Sequence, residues 1–575
     1  MAGCSGETPE PGGESGGDNG SQGTGDGTQG SGANMVDRTF YNATWTVPNQ
    51  AQYNQYNPTN QTEFPNYALF GWLARYAQTN DEWVPLLAED WNLSGTSLTL
   101  NIDDSFVWHD GDPVTAEDVA TKLRVEYAMG TTLSNFLAGV EVPDETTLEI
   151  ELQNETNETL LYQNLLSQMI DTQTSVWGDY VSDVQFDDGD YSSAQEEIVG
   201  FGWEEPIGWG PFQFDRSTGQ QIVLKKFEDH PHADEINFST LAYRYVENKQ
   251  QKMQGYLSKR LSGGGMIPTK SVYEQMPAAF QNWKFLRGVG FALHFNQNRD
   301  VFTDVRVRKA LSHVLDRKPM VENTSAVGPE LLKYDTGFHG GEEIQRQYIG
   351  DDLDQFTRYD DTQRATQLLK DAGFTKDGDQ WMKPDGDPFQ LTLKAASGFS
   401  AWRVGTNEAT RQLNNFGIES EFKPVQVSTY LSDTLPNGDF DIGASFVGQQ
   451  VIHPLTDLET AFYGYPSFGP PDIGTPNEFS VPMPVADPSG SEETVNVKDL
   501  IGQATSATGE ESTSTIKQIS WVYNQTVPTY VVFSSYGYSF LNTDNWTTAP
   551  EDSLTTDVQY PVSFMLHKGQ IQAKQ

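Results

Sequence analysis

The stretch Ser105–Tyr127, SFVWHDGDPVTAEDVATKLRVEY, carries a turn, a helix start and a helix face in 23 residues. Trp108-His109-Asp110-Gly111 reads as a turn. Pro113 then introduces Thr115, a good N-cap, with Asp118 three positions on as in a capping box. Val119, Leu123 and Tyr127 follow at helical spacing. This motif, conspicuous as it is, reads as a structural turn that caps a helix rather than as a ligand contact.

Working outward, helices and strands alternate. NYALFGWLARYAQ (66–78) has apolar residues at helical spacing and predicts a helix. WNLSGTSLTLNID (91–103) predicts two strands about Ser94-Gly95. PIGWGPFQFDRSTGQQIVLKKFEDH (206–230) enters two strands through a Gly-Pro turn. Residues 288–322 read as a buried strand, a turn and a helix, 362–374 as a short helix stopped by Gly373, and 407–425 as helix then strand. WMKPDGDPFQLTLKAAS (381–397) predicts a hairpin on its Asp-Gly turn. GDFDIGASFV (438–447) and TYVVFSS (529–535) read as strands. The alternation argues α/β lobes.

The 575 residues exceed one simple domain, and 12% aromatic content is enough for a real core. Thirty-six Lys and Arg face 80 Asp and Glu, for a net charge of −44. That surface repels nucleic acid, which is set aside as a partner. Molar salt, with a Debye length of about 3 Å, would screen the self-repulsion, so a halophilic origin is expected. The single cysteine, Cys4, excludes an internal disulfide framework or a thiolate metal cage. The Asp-Gly pairs at 377–378 and 385–386 lack the twelve-residue calcium loop and read as turns. So does the acidic run 187–190. No metal or cofactor is expected. No run of roughly 18 to 20 apolar residues is present to span a bilayer.

Ala2-Gly3-Cys4 looks like the end of a lipoprotein signal, with Cys4 the lipidated residue. The polar, Gly- and Ser-rich residues after it, through about Asn34, predict a disordered tether reaching roughly 30 Å. No GxSxG, HExxH or cysteine nucleophile marks an enzyme, and a secreted hydrolase is the minor alternative. Sites of the Asn-x-Ser/Thr form, among them Asn42, Asn92, Asn237, Asn524 and Asn545, permit glycans.

Four groups of motifs resemble the solute-binding proteins of oligopeptide/dipeptide/nickel-type ABC importers. They are LFGWLARY, VPLLAEDW and FVWHDGDPVTAEDV between 69 and 119; GWGPFQF (208–214) with PHADEINF (231–238); FTDVRVRKALSHVLDR (302–317); and NNFGIESEF (414–422) with GDFDIGASF (438–446). The resemblance implies an α/β, bilobal, periplasmic-binding-protein-like fold (cluster C, type II), with an extra domain inserted in the first lobe. On that basis 1–34 is the tether, and 35–66, 200–291 and 536–575 form lobe I. Residues 67–199 are the inserted domain and 292–535 are lobe II. It also implies an extracellular, membrane-tethered monomer that encloses an extended solute between its lobes and delivers it to permease subunits.

Within that frame the expected ligand contacts are Trp45, Asn49 and Tyr53 in the first loop, Trp209 in the Gly-Pro turn and Asn296 on the crossing strand. In lobe II they are Trp402, Arg403, Phe446, Gln449 and Gln450. Peptide-binding members resemble one another in carrying an Asp for the peptide amine about where Gln449 or Gln450 stands. A neutral amide does not neutralise a buried ammonium. An oligosaccharide ligand is therefore the alternative to a peptide.

Overall fold

The computed structural model describes residues 34–187, 189–324, 327, 330–449, 451–464 and 473–575. Three sheets organise it. In the first, strand Thr39–Thr44 lies parallel to Thr240–Tyr245. Gln221–Lys226 and then Phe212–Ser217 extend the sheet antiparallel. The second is antiparallel throughout, in the order Ala88–Ser94, Ser97–Ile102, Thr147–Leu152, Leu137–Glu141. Its period-two alternation buries Leu98, Leu100 and Ile102 on one face while Ser97 stays exposed. The expected turn between its first two strands is present, with Gly95 at φ 63°.

The third sheet has seven strands and contains the two longest in the molecule, Phe280–Phe295 and Thr529–Asn542, which pair antiparallel along their length. One end of this pair, Phe280–Leu286 against Tyr536–Asn542, takes Gly263–Met266 as its outer neighbour. The other end takes Ile442–Val447, then Gln390–Ala396 and Glu419–Val425. The ladder loses register between Leu286 and Gly290, where Gly288 has φ 68°. Gln78 clamps that break: its amide donates to the Leu286 carbonyl at 2.9 Å and accepts the Leu286 N–H at 2.8 Å.

The 105–127 motif is a structural staple. Thr115 and Asp118 form the expected capping box at the start of helix Ala116–Ala128. Asp118 also accepts the Trp108 indole N–H at 3.0 Å and the Thr174 N–H and hydroxyl at 2.7 and 2.8 Å. His109 reaches the second motif group. Its Nδ1 accepts the Gly208 N–H at 3.0 Å and its Nε2 donates to the Gly210 carbonyl at 3.0 Å. Both glycines are required by close approach, since a Cβ would lie 2.0 Å from the Leu69 carbonyl oxygen at Gly208 and 2.3 Å from that of Ala68 at Gly210.

Two expectations are corrected. The helix predicted over 66–78 is helical only at Asn66–Leu69. Gly71–Trp72 then pairs with Met169–Ile170, and Ala74–Ala77 with Glu82–Pro85. Residues 68–74 are buried on every face, and in such a run apolar spacing does not separate helix from strand. The hairpin predicted over 381–397 is displaced. The Asp385-Gly386 turn does form, with Met382 bridging Pro388 antiparallel and the Phe389 N–H donating to the Trp381 carbonyl at 2.8 Å. The paired strands lie earlier, Thr375–Asp377 with Gln380–Met382 about Gly378, and Gln390–Ala396 leaves for the main sheet to lie parallel to Glu419–Val425. Of the glycan-permissive residues, Asn42, Asn237 and Asn524 are buried, whereas Asn92 is exposed and Asn545 half-buried.

Candidate functional site

On the far side of the register break, helix Ser400–Phe416 lies against the main sheet, with Gly405 giving way to the Phe291 ring. Trp402, near the start of this helix, is the centre of an aromatic group. Its ring lies 4.9 Å from Phe399, 4.7 Å from Phe446, 6.1 Å from Tyr430 and, stacked, 6.5 Å from Phe291. Trp402 itself is 3% exposed, whereas Phe399 and Phe446 are half-buried and form the solvent-facing part of the shelf. Arg403 is exposed beside them. Offset and edge-to-face rings of this kind give a rigid apolar platform with little entropy left to lose on binding.

On the near side, Trp45 ends the first strand and is 41% exposed, unusual for so large a ring. It borders a cavity of about 250 Å³ together with Phe64, Lys252, Arg287, Tyr538 and Tyr560. The Lys252 ammonium lies over the Phe64 ring at 4.0 Å and the Trp45 ring at 5.0 Å. Burial pushes the Lys252 amine down to about 7, with the charge of Glu63 pulling weakly the other way.

Gln449 joins the short helix Thr132–Asn135 to helix Pro454–Tyr463. Its carbonyl accepts the Thr132 hydroxyl at 2.8 Å, and its amide donates to Glu459 at 3.0 Å.

The remaining expected contacts divide by burial. Asn49 is exposed, in the short helix Pro48–Gln50. Tyr53, Trp209 and Asn296 are core residues, which corrects the expectation that they line a cleft. Tyr53 is wholly buried against Phe214. Trp209 is wholly buried, packs on Gly71 and donates its indole N–H to the Ile170 carbonyl at 2.7 Å. Asn296 lies just beyond the crossing strand and donates to the Gly438 and Phe440 carbonyls at 2.7 and 2.9 Å. Turn-forming motifs attract attention for their composition, yet their polar groups are consumed in fixing the turn. Gln450 and Cys4 lie outside the described residues. Sequence reasoning missed Phe399, Lys252 and Arg287. The available signal was the rarity of cations in this chain, which makes each one near an aromatic loop informative.

Among the described residues no group of three or more His, Cys, Asp or Glu side chains is arranged to hold a metal ion. Nor is any helix among them long and apolar enough to cross a membrane.

Comparison with known proteins bears on this geometry. Residues 82–469 match the family model described as bacterial extracellular solute-binding proteins, family 5 middle. The oligopeptide-binding protein AppA of Bacillus subtilis is 24% identical over 365 residues, which span 60% of this chain and 62% of that protein. The chain thus matches less than two thirds of the relative's length. Among solved structures, that AppA in complex with a nonapeptide superposes with a TM-score of 0.66 at 17% identity, over 94% of this chain and all of that one. The periplasmic oligopeptide-binding protein of Thermotoga maritima, bound to mannohexaose, superposes with a TM-score of 0.70 at 18% identity, over 94% and 99%. These superpositions give the fold as mixed α/β and bilobal. With more than half its length inside the family model, the chain belongs to family 5 of the bacterial extracellular solute-binding proteins.

Proposed function

We propose that this chain captures an extended solute, a peptide in the first instance, between its two lobes and presents it to the permease of an ABC importer. One observation carries the reading. Two long strands run through both lobes and shift register twice within a short stretch, between Leu286 and Gly290 and again between Phe291 and Ala292, with an aromatic shelf on one side of it and an aromatic-walled cavity on the other. A ribbon with missing rungs bends there, which is what closure of one lobe on the other requires. Trp45, Asn49, Trp402, Arg403, Phe446 and Gln449 are the proposed contacts. The role is binding without turnover.

The antiparallel sheet within 88–152 is, in this reading, the extra domain of lobe I, occupying 67–199. The protein works outside the cell, tethered through lipidated Cys4, and its charge of −44 suits a saline milieu. Oligosaccharide is the second reading. The side chain of Gln449 is an amide held between Thr132 and Glu459, so at this position no carboxylate is offered to a peptide amine.

A thermal-shift series in molar KCl tests both, using mixed peptides of four to nine residues and mannohexaose. A ligand at about 100 times its Kd adds roughly 2.7 kcal/mol of stability. Peptide shifts without sugar shifts support the first reading, and the reverse supports the second. No shift with either refutes capture of an extended solute of these classes.

A further inference from the structure

We propose that the cavity beside Trp45 is an anion subsite that holds a carboxylate of the ligand, the C-terminal one where the ligand is a peptide. This rests on the reading of the chain as a solute-binding protein and adds the chemistry of one end of its ligand.

The first argument is charge. Lys and Arg are 36 of 575 residues, yet Lys249, Lys252 and Arg287 are three of the thirteen that line this cavity. Glu63 is the one carboxylate among the thirteen, and it accepts the Tyr67 hydroxyl at 2.9 Å. In a chain with more than two acids per base, a cavity with excess positive charge runs against composition.

The second argument is the state of Lys252. Among the described residues six basic side chains are buried: Arg75, Lys122, Lys226, Lys252, Arg308 and Arg317. Five are satisfied by oxygen. Arg75 donates to Gln559, Lys122 to Asp171, Arg308 to the Phe302 and Thr526 carbonyls and Arg317 to Asp335, while Lys226 pairs with Glu228. The Lys252 side chain, 1% exposed, lies over the ring faces of Phe64 and Trp45 with no hydrogen bond or ion pair among the described residues, and Glu63 acts on it only as a charge at a distance. A buried cation with no anion in contact is costly, and an incoming carboxylate would remove that cost. Arg287 enters the same cavity from the register break and can offer a carboxylate two parallel donors.

The third argument is size. About 250 Å³ accommodates an end group rather than a whole extended ligand, for which sites run to roughly 300–1,000 Å³.

The test compares free-acid and C-terminally amidated versions of one peptide pool, and glutarate with its diamide, on the full chain in molar KCl. The expected result is at least a tenfold preference for the free acids, with net proton uptake on binding at pH 8. Lys252→Met should abolish both, and Arg287→Gln should weaken the preference. Lys252→Met removes a buried charge, so its melting temperature at pH 6 should be no lower than that of the parent and serves as the folding control. Equal affinity for acids and amides, or a preference that survives Lys252→Met, overturns the subsite while leaving solute capture standing. A glutarate shift that Lys252→Met abolishes, with no peptide bound, keeps the subsite and removes the peptide reading. Silence in both arms removes both.

Discussion

Replacing Asp118 by Asn tests whether the 105–127 motif is a structural staple. Oδ2 accepts the Trp108 indole N–H and the Thr115 N–H, at 3.0 and 2.9 Å, and Oδ1 accepts the Thr174 N–H and hydroxyl, at 2.7 and 2.8 Å. The side chain is buried. An amide has one acceptor end, so whichever way it turns, its NH₂ faces at least one N–H that can only donate. Turned toward Thr174 it loses one backbone bond while the hydroxyl reorients; turned toward Trp108 it loses two. A bond to a charged acceptor contributes about 1.5–3 kcal/mol. With the surviving bonds weakened by loss of charge, the variant should be about 2–4 kcal/mol less stable. Urea unfolding followed by tryptophan fluorescence in molar KCl reads this directly. Asp112→Asn, on the exposed rim of the same turn, is the control and should change stability by less than about 0.5 kcal/mol. A loss at Asp118 no larger than at Asp112 would refute the reasoning and return the motif to candidacy as a binding element.

Three further outcomes are expected. Gly210→Ala places a Cβ 2.3 Å from the Ala68 carbonyl oxygen, so it should lower the melting temperature clearly, whereas Gly202→Ala, with open space around it, should not. Burial lowers His109, His294, His313 and His453 to about 4 and His567 to about 3. The unfolded chain takes up these protons near 6.5, so stability is lost as pH falls below that value. Burial also holds His230 well below 6.5, so the unfolding free energy should drop from pH 6.5 toward 4 with a slope of up to about six protons, and a flat profile would contradict the burial. Lys252 has its amine depressed to about 7, so the parent carries the penalty fully below pH 7 and sheds it toward 10.5. Lys252→Met should therefore stabilise the empty protein at pH 6 by on the order of 3–5 kcal/mol and by little at pH 10.5, and equal effects at both would show the amine is not charged in a buried site.

Legibility from sequence followed the range of the interactions. The capping box at Thr115 and Asp118, the turn at Gly95 and the strands at 212–226, 442–447 and 529–535 are set by neighbours a few residues apart and were readable. The segment 66–78 was not, because its state is decided by Met169–Ile170 and Trp209, residues far away in sequence. The same holds within the site. Trp402 and Phe446 were picked out as a flexible turn and a strand end, and their aromatic neighbourhood is what the structure adds. Tyr53, Trp209 and Asn296 are candidates by their place in a loop, a turn and the crossing strand, and burial, which such placement does not give, removes them. Lys252 becomes conspicuous only when the partners of every other buried cation are known.

The doubled crossing also constrains how the molecule is made. His294 and Thr529 hydrogen-bond across it although 235 positions separate them, and the same late strand supplies Gly263–Met266 with its partner at the other end of the sheet. A chain synthesised as far as residue 528 lacks a central strand of the seven-stranded sheet, however complete the rest is. Neither end of that sheet can close its core alone, contacts of such long sequence separation form slowly, and the two ends should become protease-resistant together rather than in order of synthesis.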